Sequence, residues 1–313
     1  MPSLFVRTVT LAAFVSTVTV GLSAQALRVP GTSVTLAPPE GFSGAQNYPG
    51  FERADVQASI MVTELPVPAA DMIRSMTQPA LAAKGMTLLS ARDTAIKDKP
   101  ARLLHVRQKG PTADVLKWML IAGDTGTTVM IVGTFPEAIG SGVGDAIRRS
   151  LLTASWGAAG SPSPFEGLLF QVTPTEKLKL VRRVSNLLMF TESGTTGSSG
   201  STEALFIAGQ SLGQSPIESL RSFSESRAKQ TTLTRDVTNF TGRAVQIAGL
   251  SAYELEADAT DARSGRAMRL YQVIVLDEAG YFIFQGLIGQ DRASEMFPEF
   301  RAVTKSFRRV KPQ

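Results

Sequence analysis

The chain of 313 residues contains no cysteine and one histidine, His105. The first absence removes disulfides, thiolate nucleophiles and zinc–thiolate sites together. The second removes the usual imidazole-rich catalytic zinc site, and no H-E-x-x-H motif is present. No stretch after residue 26 is apolar and long enough to span a bilayer, which takes about 20 residues. Neither sign of charge dominates. Residues 27–158 hold 13 basic and 11 acidic side chains, and residues 165–313 hold 18 and 16. A nucleic-acid protein concentrates Lys and Arg on one stripe, so the even balance excludes that class and leaves protein as the expected partner.

What is present begins with an export signal. Arg7 and the amino terminus supply positive charge, Leu11 to Leu22 are mostly apolar, and Ala24-Gln25-Ala26 has the A-x-A form of a cleavage site. The expected division is a signal peptide over 1–26, a first domain over 27–156, a linker over 157–164 and a second domain over 165–313. The linker, Gly157-Ala158-Ala159-Gly160-Ser161-Pro162-Ser163-Pro164, consists of small residues and two prolines with no periodic apolar pattern. With no cysteine to carry a lipid and no later membrane segment, the expected product is periplasmic or secreted.

The part after the signal reads twice. Val115–Ala122 and Thr128–Phe135 alternate as strands, and a helix follows over about 145–155 with Ile147, Leu151 and Ala154 inward. At an ungapped offset of 153, Ile274 falls on Ile121, Asp277 on Asp124 and Gly286 on Gly133. The second copy again ends in a helix, with Phe300, Val303, Thr304 and Phe307 at helical spacing. Upstream, Ser33–Pro38 and Gln57–Leu65 read as strands. A helix over 69–84 carries Met72, Ile73, Met76 and Ala80 on one face, with Pro79 expected to kink or shorten it. Strands follow at Thr87–Lys97 and Arg102–Gln108. In the second half, strands are expected at Leu168–Val172, at Lys179–Phe190 as a turn-broken pair, and at Leu205–Gln210. Ser215-Pro216-Ile217-Glu218 has the capping-box form and places a helix start at Ser215. Strands at Thr232–Phe240, Ala244–Ala248, Ala252–Ala257, Ala267–Leu276 and Tyr281–Gly289 complete the second sheet. Consecutive strands on short turns must pair antiparallel, and two amphipathic helices need a sheet to cover. The fold class is therefore α+β: two tandem domains, each an antiparallel sheet layered with two helices.

In the first half, Pro39-Glu40-Gly41-Phe42, the run Ile60 to Pro68 and the Lys117–Pro136 hairpin resemble the Mog1/PsbP-like superfamily. In the second, Ile247 to Ala252, Tyr281-Phe282-Ile283-Phe284 and Thr304 to Arg309 resemble the accessory domain of secreted metallopeptidases, without its catalytic domain. The resemblance implies an antiparallel sheet between helices, used for binding or assembly, and carries over no catalytic residue.

The side chains with chemistry to offer are few. His105 lies inside a strand and reads as structural. Ser226 and Lys229 match S-x-x-K, but S-D-N and K-T-G are missing. Gly140-Ser141-Gly142-Val143-Gly144 has the wrong spacing for a dinucleotide loop and reads as a flexible connection. Glu254, Glu256 and Asp258 alternate on one strand face without the oxygen-rich loop of a calcium site. Lys177, Lys179, Arg182 and Arg183 form one basic stretch, and Lys305, Arg308, Arg309 and Lys311 another. Arg182 and Arg183 are the candidate partner contacts, together with the Gly/Ser/Thr run 191–202. The expectation is an exported, non-catalytic binding or assembly module with no cofactor and no metal. The alternatives are an accessory to an exported peptidase or other enzyme, a hydrolase using Ser226 and Lys229, and a carrier of a small apolar ligand.

Overall fold

The structure is a computed structural model describing residues 25–110, 113–157, 162–195, 202–213, 216–278 and 280–310. The expected signal, except Gln25 and Ala26, lies outside the described residues, as do Ser215 and Lys311. The first seven-stranded sheet is built from β1 (Ser43–Gly44), β2 (Gly50–Arg53), β3 (Ala58–Leu65), β4 (Met86–Ile96), β5 (Lys99–Gln108), β6 (Val115–Gly123) and β7 (Thr128–Pro136). Helices α1 (Ala69–Ser75) and α2 (Gln78–Ala82) lie between β3 and β4, and α3 (Ser141–Leu151) follows β7. The second sheet comprises β8 (Lys179–Val184), β9 (Leu187–Thr191), β10 (Leu205–Gln210), β11 (Thr234–Ile247), β12 (Leu250–Asp261), β13 (Ala267–Asp277) and β14 (Gly280–Gly289). Helix α4 (Leu220–Lys229) precedes β11, and α5 (Ala293–Lys305) follows β14.

The sheet orders are β1-β2-β3-β7-β6-β5-β4 and β8-β9-β10-β14-β13-β12-β11, with every neighbouring pair antiparallel. The third strand cannot join the fourth by a hairpin, because three later strands stand between them, so helical segments carry the chain across. The two-domain α+β architecture follows, each sheet sandwiched between helices. One face of the first sheet packs under α3 with Ile60, Val62, Leu120, Ile131, Ile147 and Leu151. The opposite face holds α1 and α2 over Leu81, Leu104, Met119 and Ile121, with Met72, Met76, Met86 and Met130 beside them.

The repeat extends to residue-by-residue register. Trp118 pairs with Gly133 and Tyr271 with Gly286, both at the offset of 153. A Cβ on Gly133 would stand 2.1 Å from Ile147, and one on Gly286 would stand 2.4 Å from Phe300. Ile147 and Phe300 share the same offset, so the same glycine admits the same helix position in both domains. The β4–β5 and β11–β12 hairpins match as well. Lys97 and Asp98, and likewise Ala248 and Gly249, all have positive φ, the conformation a two-residue hairpin turn requires.

Several element boundaries depart from expectation. The 69–84 helix is two helices: α1 ends at Ser75, ahead of Pro79, and Thr77 recaps the chain by accepting the Ala80 N–H. Pro79 then sits in the first turn of α2, where its missing N–H costs nothing. The glycine run at 140–144 is not a loop beyond Gly140, since α3 starts at Ser141. Gly144 is needed there because a Cβ would strike the Phe135 ring at 2.5 Å. Helix α4 begins at Leu220, with Ser219 as its cap accepting the Ser222 N–H. The strands expected at Thr232–Phe240 and Ala244–Ala248 are one strand, β11. It is interrupted only by two irregularities, where Asp236 and Asn239 take positive φ. Ser33–Pro38 shrinks to a two-residue ribbon, Thr35–Leu36 with Leu27–Arg28, and Leu168–Val172 to Phe170–Gln171 with Arg308–Arg309.

Candidate functional site

The side chains singled out by sequence are not gathered in one place. His105, on β5, stacks on Trp118 of the neighbouring β6 with ring centroids 4.1 Å apart and planes 10° apart. Its Nε2 is buried without a hydrogen-bond partner. Burial, and then the charge of Arg107, push the imidazole below its ordinary pKa. The guanidinium of Arg148, on α3, lies 5.9 Å from the centre of the Trp118 ring. This is a packed histidine held in an aromatic stack that Arg148 covers.

Glu254, Glu256 and Asp258 occupy the corresponding face of β12 and are matched by arginines. Arg243 Nε donates to Glu254 Oε2 at 2.8 Å, and Arg301 Nε to Glu254 Oε1 at 2.8 Å. Arg301 also donates to Glu256, and Arg269 Nη2 donates to Glu256 at 3.1 Å. Arg269 Nε stands 3.4 Å from Asp258, which also accepts from Asn239 at 2.8 Å. Burial raises the Glu254 pKa, but the hydrogen bonds from Arg301 and Arg243 outweigh it and hold the carboxyl below its usual range. Arg301 lies 5.6 Å above the Tyr271 ring, just as Arg148 lies above Trp118. The carboxylates thus form an ionic ladder tying the sheet to α5. Among the described residues, no cluster of three metal-ligating side chains occurs.

Ser226 and Lys229 are both exposed on α4, and the Lys229 ammonium lies 5.4 Å above the Phe240 ring. Lys177 pairs with Glu295 at 3.2 Å, and Arg309 with Asp277 at 3.0 Å. Residues 196–201 of the Gly/Ser/Thr run lie outside the described residues.

Arg182 and Arg183 are half-buried on β8. Arg183 turns into the joint between the domains, where its guanidinium donates to the carbonyls of Glu166 and Ser185. Burial pushes this guanidinium down to about 10. Glu166 in turn binds Arg28 of the first domain, with Arg28 Nη1 donating at 3.0 Å. That hydrogen bond holds the Glu166 carboxyl below its ordinary range. A Cβ on Gly31, whose φ is +75°, would collide with the Arg183 side chain and the Glu166 carbonyl. Gln210 Nε2 also reaches the Gln46 carbonyl at 3.3 Å. This joint is invisible in the sequence, because Arg28, Glu166 and Arg183 lie far apart in the chain and obey no spacing rule. The nearest signal is Gly31, whose positive φ falls in the turn that joins Leu27–Arg28 to Thr35–Leu36. Beside the joint, a cleft of about 10 Å³ is lined by Asn47, Leu169, Gln210, Ser211, Asp277 and Tyr281, room for one water molecule.

No family model and no curated protein matches this chain. Among solved structures, it is similar to LpqN of Mycobacterium tuberculosis, described as involved in cell envelope biogenesis. That match has a TM-score of 0.35 and 12% identity, over 45% of this chain and 83% of that one. The cyanobacterial PsbP protein CyanoP of Synechocystis matches at 0.31 and 16%, over 45% and 98%. The type VI secretion immunity protein TplEi of Pseudomonas aeruginosa matches at 0.34 and 11%, over 92% and 97%. Likenesses this slight set neither the fold nor the activity of the chain.

Proposed function

We propose that the chain is an exported, non-catalytic binding or assembly module, made of two tandem Mog1/PsbP-like domains and acting on a protein partner. The observation that carries this reading is the engagement of the histidine and of the β12 carboxylates in the scaffold. His105 is stacked on Trp118, and Glu254 and Glu256 are bound by arginines. A surface remains as the means of action, borne on two sheets that the Arg183 joint holds together. Export rests on the signal-like residues 1–26, and the domain limits 27–156 and 165–313 on the linker composition. A periplasmic pull-down with tagged protein carrying native residues 27–313 tests the reading. One protein should co-purify in fixed stoichiometry and survive Ser226→Ala. Hydrolytic turnover by the purified chain, abolished by Ser226→Ala with the fold intact by circular dichroism, would replace this reading with the hydrolase.

A further inference from the structure

A β-sheet edge presents unpaired N–H and C=O groups, and proteins usually blunt such edges. The two sheets here have four. β1 is only two residues long. β8 runs against the first domain, where Ser185 Oγ lies 3.9 Å from Met61 Sδ and Arg183 closes the joint. β11 is broken by left-handed residues at Asp236 and Asn239. Its counterpart in the first sheet, β4, has none of these devices over Ser90–Ile96. After one irregularity at Leu88/Ser90 it runs in unbroken register with β5 from Ser90 to Ile96. Ser90 to Asp93 and Ala95 are exposed, as is Leu89 at 42%. Nothing among the described residues pairs with its outer side.

The charges on this edge are unequal. Asp93 is neutralised by Arg102 of β5 at 2.7 Å. Arg92 lies opposite Leu103, on the α3 side of the sheet, and forms no ion pair with any described residue. A second copy does not supply the missing carboxylate. Two copies paired antiparallel along one sheet are related by a two-fold axis normal to it, which keeps each face on its own side. Arg92 and Asp93, as successive residues, lie on opposite faces, so Arg92 never meets the other copy's Asp93.

We infer that the β4 edge over Ser90–Ile96 accepts an extended segment of a partner protein as an eighth strand, with an acidic side chain opposite Arg92. Main-chain hydrogen bonds supply the binding and the Arg92 pair sets the register. This rests on the binding-module reading and names its surface.

The test uses the chain from residue 27 to 313 and two nine-residue peptides of alternating Thr and Val, one with Glu at the centre and one with Lys. Both are N-methylated on alternate residues so that they cannot pair with themselves. Hydrogen exchange should slow at 90–96 and not at 234–247, and the Glu peptide should bind about fivefold tighter than the Lys peptide, the scale of one cross-strand ion pair. Arg92→Glu, an exposed change, should invert that preference. The inference is overturned by unprotected 90–96 at millimolar peptide, by equal protection of 234–247, by indifference to the peptide's charge, or by self-association through 90–96 without peptide. A pulled-down partner that leaves 90–96 unprotected also overturns it while sparing the wider reading, whereas the absence of any partner sinks the reading itself.

Discussion

The two domains repeat one plan but fill the space between sheet and closing helix differently. In the first, Leu103 and His105 on β5 face α3, and Arg148 covers Trp118. In the second, the matching positions are Glu254 and Glu256, and the matching arginine, Arg301, binds both while covering Tyr271. Deeper in, the first core is largely aliphatic, whereas the second is dense in phenylalanine, with Phe206 and Phe300 stacked at 5.4 Å and Phe170 and Phe282 edge to face at 5.8 Å. The opposite faces differ too. Met119 and Val132 in the first sheet correspond to Gln272 and Gln285 in the second. There Gln285 donates to Gln272 and Thr231, and Gln272 to the Ser224 carbonyl of α4. The backbone plan therefore tolerates an apolar or a polar filling, and the two buried glutamines enter with their amide groups hydrogen-bonded.

The sharpest way to break the equivalence is at the helix contact that both domains share. Phe300 and Ile147 are both fully buried against their glycines. Phe300→Ala is expected to cost about 4–5 kcal/mol and Ile147→Ala about 3 kcal/mol, the larger ring leaving the larger void. Both tryptophans, Trp118 and Trp156, lie in the first domain. In urea, Phe300→Ala should lower the far-ultraviolet midpoint while the tryptophan transition holds its position. Ile147→Ala should move the tryptophan transition. Equal movement of both signals in either variant would mean that the domains unfold as one unit.

The ladder separates the matched arginines. Arg301→Ala leaves Glu254, whose side chain is only 10% exposed, and Glu256 short of their shared cation. The expected cost is about 2–3 kcal/mol. Arg148→Ala removes a ring contact and an exposed pair with Asp145 at 3.5 Å, and should cost under about 1 kcal/mol. Equal losses would show that the second-domain ladder is a surface ornament.

The duplicated hairpins and closing helices were legible because their signals are local: alternation, turn residues and the offset of 153. Helix starts were less so. Ser215 carried the stronger capping pattern, yet Ser219 caps α4 four residues later. The strand break read at 240–244 was a composition effect, since the polar run Thr241-Gly242-Arg243 continues β11 along an exposed edge. The three carboxylates of β12 were visible as a row, but their arginines come from β11, β13 and α5. No spacing in the chain announces that meeting. Arg183 likewise read as an exposed cation until the fold brought Glu166 and Gly31 around it.

The joint tests whether two similar domains act as one body. Arg183→Ala removes the donor to the Glu166 and Ser185 carbonyls, and Glu166→Gln weakens the bridge to Arg28. Each domain retains its own core, so both variants should unfold within about 1–2 kcal/mol of the parent. Solution scattering should nevertheless show a longer maximum dimension as the domains part. An unchanged scattering curve for the double variant would move the joint's strength to contacts such as Gln46 with Gln210 and Met61 with Ser185.

The smallest difference is one of pH. His105 has its folded-state pKa depressed, first by burial against Trp118 and then by Arg107. As pH falls below about 6.5, the unfolded chain takes up this proton before the folded chain does, so the first domain loses stability through that window. In the second domain, Glu254 also has a depressed folded pKa, but it is a carboxylate. Its contribution is fully present above the unfolded carboxyl pKa of about 4.3 and is lost only as pH falls through the lower folded value. Between pH 7 and 5, the tryptophan-detected urea midpoint should therefore fall while the second-domain transition stays level. His105→Gln should flatten the first and leave the second alone. If the slope persists in His105→Gln, the stacked histidine is not its source, and acidity acts on the first domain through another group.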